Sequence, residues 1–507
     1  MVTAATGHVW QTAKNVISSW GTMLVIAVLS FFLSPFIVHK LGNNAYGAWI
    51  LLSSVVGYLG LLDLGVRSAV TKYVATLHAV GRHDEANHVA SAALALFSGA
   101  GIVAVTVAFG FAEFGLGFFD VSPDLLSAAR LVLRLGGVTV AMALVGGVFG
   151  GIVVARQRFD LLNLMTLAHE FARFGAIFLA LWSGGGLVEL AVIQFATGAS
   201  QMLITFFMSR RIYPEMRPWK FDFSAEHLRM VLTFGFFATL LHASTMIVNY
   251  TDSLVIGAYL PISMITFFAI SANLVEQARN LAAGISRSIS PVASALDVDE
   301  DRTNVARVLL SGARLATLVS LPIVVTLLLR GHSFIHLWMG AEYAGPAGDV
   351  LFLLALGLWV YAGFHICVAI MIGLDEHRGL VPAFLAEATC NAGLSILLVQ
   401  DFGILGVAVG TLIPRTIMSV VVGPWYTRRV VGVAVSRYLD AVILRPTVSI
   451  ALFALATWAF ETYLPARNLA VYFGQVALTC PLALLGAWFV SLDASERAYL
   501  RGLRRTR

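Results

Sequence analysis

SPFIVHKLGNNAYGAWILLSSVVGYLGLLDLGVRSAVTKYVA, residues 34–75, decides what kind of protein this is. An apolar run ends in the short polar turn around KLGNN (40–44). A second apolar run then follows, and it ends at Asp63 and Arg67. Crossing about 30 Å of hydrocarbon takes about 20 apolar residues, and each arm of this hairpin is about that long. The stretch therefore reads as two membrane-crossing helices joined by a tight turn.

The same alternation runs outward through the whole chain. Of its 507 residues, 59% are hydrophobic and only 12% are charged. A soluble domain carries about a quarter of its residues as charge. Mean hydropathy is +0.85. Breaks at Gly, Pro and charge clusters delimit spans at 16–39, 45–73, 87–111, 125–154, 160–182, 187–209, 228–258, 262–293, 303–329, 349–373, 379–399, 404–426, 439–463 and 468–492. The expectation is an all-α polytopic membrane protein of about fourteen helices, the first of them a retained span rather than a cleaved signal. Of 33 basic residues, 21 fall in one set of alternating connections, three (Lys40, Arg330, Arg467) in the other, and nine inside the spans. Positive charge marks the cytoplasmic side, so both termini are expected there.

Several function classes drop out. Cys367, Cys390 and Cys480 lie in apolar stretches with no CxxC, which indicates neither a disulfide framework nor a zinc site. None of the four lysines follows a glycine, so a GxxxxGK[ST] phosphate loop is impossible; HExxH and GxSxG are also missing. The net charge of +5 reflects the inside bias rather than nucleic acid.

Residues 1–208 and 228–430 each hold six spans; 209–227 is a cytoplasmic linker, and 431–507 adds two helices and a basic tail. The two blocks open alike. The turn at 40–49 is matched by AYLPISMITFF (258–268), and Arg67 is matched by Arg287, 220 residues later. Six is even, so the blocks would be parallel repeats about the membrane normal, enclosing a cleft.

Residues 34–75, with YTDSLVIGAYLPISMITFFAISANLVEQ (250–277), resemble the helix pairs that open each lobe of polysaccharide-biosynthesis flippases, in the multidrug/oligosaccharidyl-lipid/polysaccharide (MOP) exporter superfamily. The resemblance covers essentially the whole chain, including the 6 + 6 + 2 organisation. It implies two six-helix lobes around a cavity. It also implies transport of undecaprenyl-diphosphate-linked oligosaccharide, a precursor of polysaccharide, O-antigen, capsule or exopolysaccharide, across the bacterial cytoplasmic (inner) membrane by alternating access. The implied partners are that lipid-linked substrate, membrane lipids and other glycan-assembly membrane proteins. No enzymatic step and no cofactor is implied; with no ATP-binding motif, a proton or sodium gradient is a candidate drive.

Charges at bilayer depth cost about 2.5–3.5 kcal/mol even on the mildest scale, so they face protein or water. Arg67 and Arg287 are candidate cations for a diphosphate, for which the planar guanidinium fork is suited. Snorkelling to headgroups is the alternative for both. Arg314 and Arg415 lie deeper, Arg415 directly after Pro414. Asp63, Asp252, Glu276, Glu387 and Asn391 are the candidate ion-coupling or cavity polar residues. Interhelical salt bridges are the competing reading for Arg314, Arg415 and Glu387. Glu170 and Arg173, three apart, are read as a self-satisfied pair. The GGVFGG run (146–151) is read as a close-packing surface. Three rival functions stay open: a cation-coupled multidrug exporter, a membrane glycan polymerase or ligase, and a passive scaffold.

Overall fold

The computed structural model describes residues 2–220, 222–298, 302–493 and 496–497, with side chains described outside 2–20, 234–238, 281–283 and 285–298. The described residues form α-helices with short 3-10 and π turns, and no strand. In lipid no water is available to a bare N–H or C=O, so the helix, which satisfies both within one segment, is the natural element. Large apolar side chains such as Ile102, Leu179, Leu397 and Leu484 are exposed, as expected where lipid is the solvent. Nine helical segments among the described residues are long and apolar enough to cross a membrane, ten when Val435–Ser449 and Ala451–Tyr463, bent by 40°, count as one. The chain is a multi-pass membrane protein.

It divides into two compact units, Met1–Thr266 and Phe267–Arg507. The first is built from α1 (Val2–Tyr58, turning at Gly42), α2 (Val66–Ala79), α3 (His83–Gly110), α4 (Leu126–Ala155), α5 (Phe159–Trp182), α6 (Leu187–Ile212) and α7 (Ala225–Tyr259). Helix α4 packs on α1, α2, α3 and α6, and the GGVFGG run explains how one helix serves several neighbours. Gly147 and Gly151 face Arg67 and Val70 of α2, while Gly146 and Gly150 face Met202 and Thr205 of α6. Two i,i+4 glycine pairs on adjacent faces thus admit two helices at close range.

A second glycine seam joins the later part of α1 to α7 and the turn that follows it. Gly47 abuts the Ile262 carbonyl, Gly57 the Tyr250 ring and Gly257 the Leu51 side chain. The Thr266 hydroxyl donates to the Asn43 carbonyl at 2.7 Å. The two turns that read as repeat-related therefore bond to each other. The connection after α6 is also pinned rather than slack. Tyr213 and Met216 are buried, the Tyr213 hydroxyl lies 2.5 Å from His83 Nδ1, and Asn87 donates to the Glu215 carbonyl. Burial pushes the Tyr213 phenol above its ordinary pKa, which keeps it a neutral hydrogen-bonding group.

The second unit holds most of α8 (Ser263–Val298), then α9 (Arg302–Met339), α10 (Ala341–Tyr361), α11 (Phe364–Gly373), α12 (Val381–Ile417, turning at Gly403), α13 (Gly423–Val431), α14 (Val435–Leu439), α15 (Arg445–Ser449), α16 (Ala451–Tyr463) and α17 (Leu469–Gly486). Helix α9 packs on α10, α11, α16 and α17.

Two expectations from sequence are corrected. The span at 45–73 is not one helix, because the chain breaks at Leu59–Gly65 before α2 begins. Arg330 is not in a loop: α9 runs on to Met339, and the guanidinium is buried against Glu461 (2.8 Å), Gln475 (2.7 Å) and the Tyr472 ring. Its partners lie more than 130 residues downstream, so no local pattern announces them.

Gly406 sits against the Leu398 carbonyl in the hairpin formed by the two halves of α12. Gly406→Ala should lower stability by about 1–3 kcal/mol through overpacking. Gly99→Ala, in α3 with open space around it, should be neutral or stabilise by up to about 1 kcal/mol. Thermal unfolding of the two variants in detergent measures the difference.

Candidate functional site

Arg67 owes its position to the break before α2. Leu64 (φ 48) and Gly65 (φ 70) are both left-handed, which a helix cannot accommodate. Asp63 ends a 3-10 turn and Arg67 falls in the first turn of the new helix. Its guanidinium lies over Gly147 of α4, where a Cβ would stand 3.0 Å from Nε. The pair with Asp63 spans 3.8 Å, and the arginine side chain is 54% exposed. At that distance the contact is an ion pair and not a hydrogen bond. Exposed pairs of this kind contribute about 0–1 kcal/mol, so they hold a side chain loosely. Arg67 thus presents its donors outward at a helix start, where backbone N–H groups also favour an anion. Its repeat counterpart Arg287 lies in α8, with its side chain outside the described residues.

A second polar group forms in the other unit, around the α12 hairpin. The turn at Gly403 folds the halves of α12 together, with Gly410 against Ser395. This brings Glu387 and Asn391 of the first half beside Thr411 and Arg415 of the second. Asn391 donates to the Thr411 hydroxyl at 2.9 Å. Arg415 Nε stands 3.8 Å from Glu387 Oε1, with side-chain exposures of 14% and 4%. The Arg415 guanidinium also covers the Tyr361 ring at 4.9 Å.

Helix α8 contributes Glu276, which pairs with Arg279 one turn on. Arg279 feels the charge of Arg415 and lies near Tyr361. The His365 ring is 4.7 Å from Tyr361, and its Nε2 is buried with no hydrogen-bond partner among the described residues. Four residues singled out from sequence (Glu276, Glu387, Asn391, Arg415) therefore converge. Arg279 and Tyr361 join them, and so does His365, which as a lone histidine in a helix reads as structural. Their only sequence signals are an i,i+3 acid–base pair and an i,i+4 aromatic pair. Two acids and two arginines nearly cancel in charge, yet desolvating them costs several kcal/mol per ion before pairing. A purely apolar packing would avoid that cost.

The other candidates lie apart from this group in sequence and in partners. Arg314 is buried in α9. It donates to the Ser491 carbonyl (3.1 Å), Asp493 Oδ2 (3.1 Å) and Glu496 Oε1 (2.5 Å). Of its two readings, cavity cation and interhelical bridge, this geometry is the bridge. Asp252 is buried in α7, next to Thr251, whose hydroxyl meets the Tyr58 hydroxyl at 2.5 Å. Glu170 and Arg173 pair with each other at 2.6 Å, as read from their spacing. Among the described residues no three His, Cys, Asp or Glu side chains gather into a metal set.

Arg314→Ala should strip Glu496 of its cation and leave Asp493 only its exposed contact with Arg445 at 3.2 Å, loosening the chain beyond Ser491. Breaking a buried pair costs about 3–5 kcal/mol. Limited proteolysis in detergent should therefore remove the C-terminal tail faster than in the wild type, while Arg67→Ala should leave that rate unchanged.

Comparison with known proteins places this arrangement. Residues 77–347, more than half of the chain, match the family model described as polysaccharide biosynthesis protein. The putative O-antigen transporter of Shigella flexneri is 21% identical over 399 residues, spanning 78% of this chain and 92% of its own. The lipid II flippase MurJ, in an inward closed conformation, matches with a TM-score of 0.73 at 15% identity, over 94% of this chain and 98% of its own. An inward-facing MATE family multidrug resistance transporter of the MOP superfamily matches with a TM-score of 0.67 at 15% identity, over 83% of this chain and 98% of its own. The helical fold is the one these transporters share, and the chain belongs to the polysaccharide biosynthesis protein family.

Proposed function

We propose that this protein is a flippase for lipid-linked oligosaccharide, moving an undecaprenyl-diphosphate-bound glycan across the bacterial cytoplasmic membrane by alternating access. The observation that carries the reading is Arg67. It is a cation within a membrane-crossing region, set in the first turn of a broken helix, 54% exposed and only loosely held by Asp63. Among the described candidates, Arg314 is spent on acidic partners and Arg415 is largely covered. Family membership and the O-antigen transporter and flippase relatives point to the same class of cargo.

The diphosphate would be held by Arg67 and its repeat counterpart Arg287, with no covalent step. Fourteen spans follow if the 59-residue and 55-residue apolar segments each count as two across Gly42 and Gly403, the bent pair Val435–Ser449 and Ala451–Tyr463 counts as one, and α7 and α8 are added to the rest. With that even count, the positive-inside bias puts both termini in the cytoplasm. Two six-helix lobes with two further helices remain the organisation that this count and the sequence repeat favour.

For the drive, the α12 group is the best-placed ion-coupling element. Glu387 is buried beside Arg415, and a proton or sodium ion that competes for that carboxylate would loosen the pair. Asp252 is the counterpart candidate in the first unit. Under this reading Glu387→Gln slows transport and removes its dependence on the gradient, while leaving substrate binding intact.

In cells lacking the gene, a complete lipid-linked repeat unit should accumulate on the cytoplasmic leaflet, and the wild-type gene should clear it. Arg67→Ala, inserted at normal levels, should fail to clear it, and Arg67→Lys should do so partially, since the point charge survives without the fork. Unchanged lipid-linked pools together with altered drug sensitivity would instead identify a multidrug exporter.

A further inference from the structure

A groove of about 800 Å³ opens in the first unit where α4 ends, α5 begins and α6 ends. One part of its lining is cationic, with Arg156, Arg158 and Arg211, and the other is apolar, including Leu161, Ile204 and Phe207. The cations are only partly compensated. Arg158 is bound by Asp160 through two hydrogen bonds, at 3.0 and 3.2 Å. Arg156 stacks on the Tyr213 ring at 5.4 Å, and its Nε is buried with no hydrogen-bond acceptor among the described residues. Arg211 is exposed in the last turn of α6 and forms no ion pair among the described residues. Among the described residues, only Arg158 of the three guanidinium groups is bound to a carboxylate. The N-terminal turn of α5 begins at the same place and adds partial positive charge.

The apolar wall faces outward. Ile204 and Phe207 are 44% and 64% exposed, on a helix long and apolar enough to cross a membrane. We propose that this groove binds an anionic phospholipid, its phosphate held by Arg156 and Arg211 and its first acyl carbons lying along Ile204 and Phe207. Basic pockets between helices at the membrane edge suit such headgroups. The volume accommodates a phosphoglycerol head and the start of its chains. A free phosphate would leave the apolar wall unused. The inference rests on the membrane reading alone and not on the transport reading. Its consequence is a lipid that ties α4, α5 and α6 together at the edge of the first unit.

The test is thermal unfolding of the full-length protein in detergent, titrated separately with phosphatidylglycerol, phosphatidylcholine of the same chains, inorganic phosphate and undecaprenyl diphosphate. Phosphatidylglycerol should raise the midpoint saturably, and phosphatidylcholine and inorganic phosphate should not. Each phosphate-facing arginine contributes about fivefold in affinity near a membrane surface. Arg211→Gln should therefore raise the half-saturating concentration about fivefold, and Arg156→Gln with Arg211→Gln about 25-fold. Arg428→Gln with Arg429→Gln, remote in sequence and outside the groove, should leave it unchanged. If the double variant does not fold, Arg211→Gln alone decides, being exposed at a helix end. An equal response to phosphatidylcholine overturns the proposal, as does an unchanged half-saturation in the arginine variants. A response to undecaprenyl diphosphate alone would also overturn it, by assigning the groove to the cargo.

Discussion

Close approach of backbones at glycine is the constraint on which the rest of this structure depends. Lipid tails are as apolar as leucine, so burial of apolar side chains gives helices in a bilayer little reason to associate. What remains is contact, and contact between helix backbones requires positions without a side chain. Gly146, Gly147, Gly150 and Gly151 let α4 meet α2 and α6. Gly47, Gly57 and Gly257 do the same for α1 with α7 and the turn after it, and Gly406 and Gly410 for the halves of α12. These seams bring helices near enough for side-chain polar groups to reach one another. The α12 hairpin illustrates the consequence. Only because its glycines close the gap do Asn391 and Thr411 bond, and only then does Arg415 come to Glu387.

Charge in this protein is rationed by the same solvent. Most basic residues lie in the connections or toward helix ends, where they cost little and set orientation. Five arginines within helices illustrate three physical situations. Arg314 and Arg330 are consumed by acidic and amide partners contributed by the C-terminal part of the chain. Arg279 and Arg415 belong to a nearly neutral cluster whose acids are close at hand. Of these five, Arg67 alone is both weakly paired and more than half exposed. A structural cation ends like Arg314, buried against carboxylates. A cation kept for a passing anion must remain like Arg67.

Much of the fold was legible in the residues, because a helical membrane protein writes its elements as long apolar runs punctuated by glycine, proline and charge. The turns at Gly42 and Gly403 fall where the punctuation lies, and the GGVFGG run packs as its spacing implies. The break at Leu64–Gly65 was not legible, since a leucine at positive φ is set by its surroundings and carries no mark in the sequence. Arg330 misled for a related reason. The polar run RGHS (330–333) looks like a loop, and only Glu461 and Gln475, far along the chain, make it a buried helical turn. Periodicity found the polar positions Glu276, Glu387, Asn391 and Arg415. It could not say which of them share a neighbourhood, nor that Arg279, Tyr361 and His365 complete it, because those contacts join separate helices.

The most direct measurement of the central claim is the leaflet distribution of cargo in a purified system. The protein would be reconstituted into vesicles carrying labelled undecaprenyl-diphosphate-linked oligosaccharide in one leaflet, and the label reaching the other leaflet would be followed with a membrane-impermeant glycan-cleaving enzyme. A flippase exposes the label much faster than protein-free vesicles do, and the wild-type rate collapses in Arg67→Ala. Exposure no faster than in empty vesicles, under an imposed ion gradient of either sign, would contradict it.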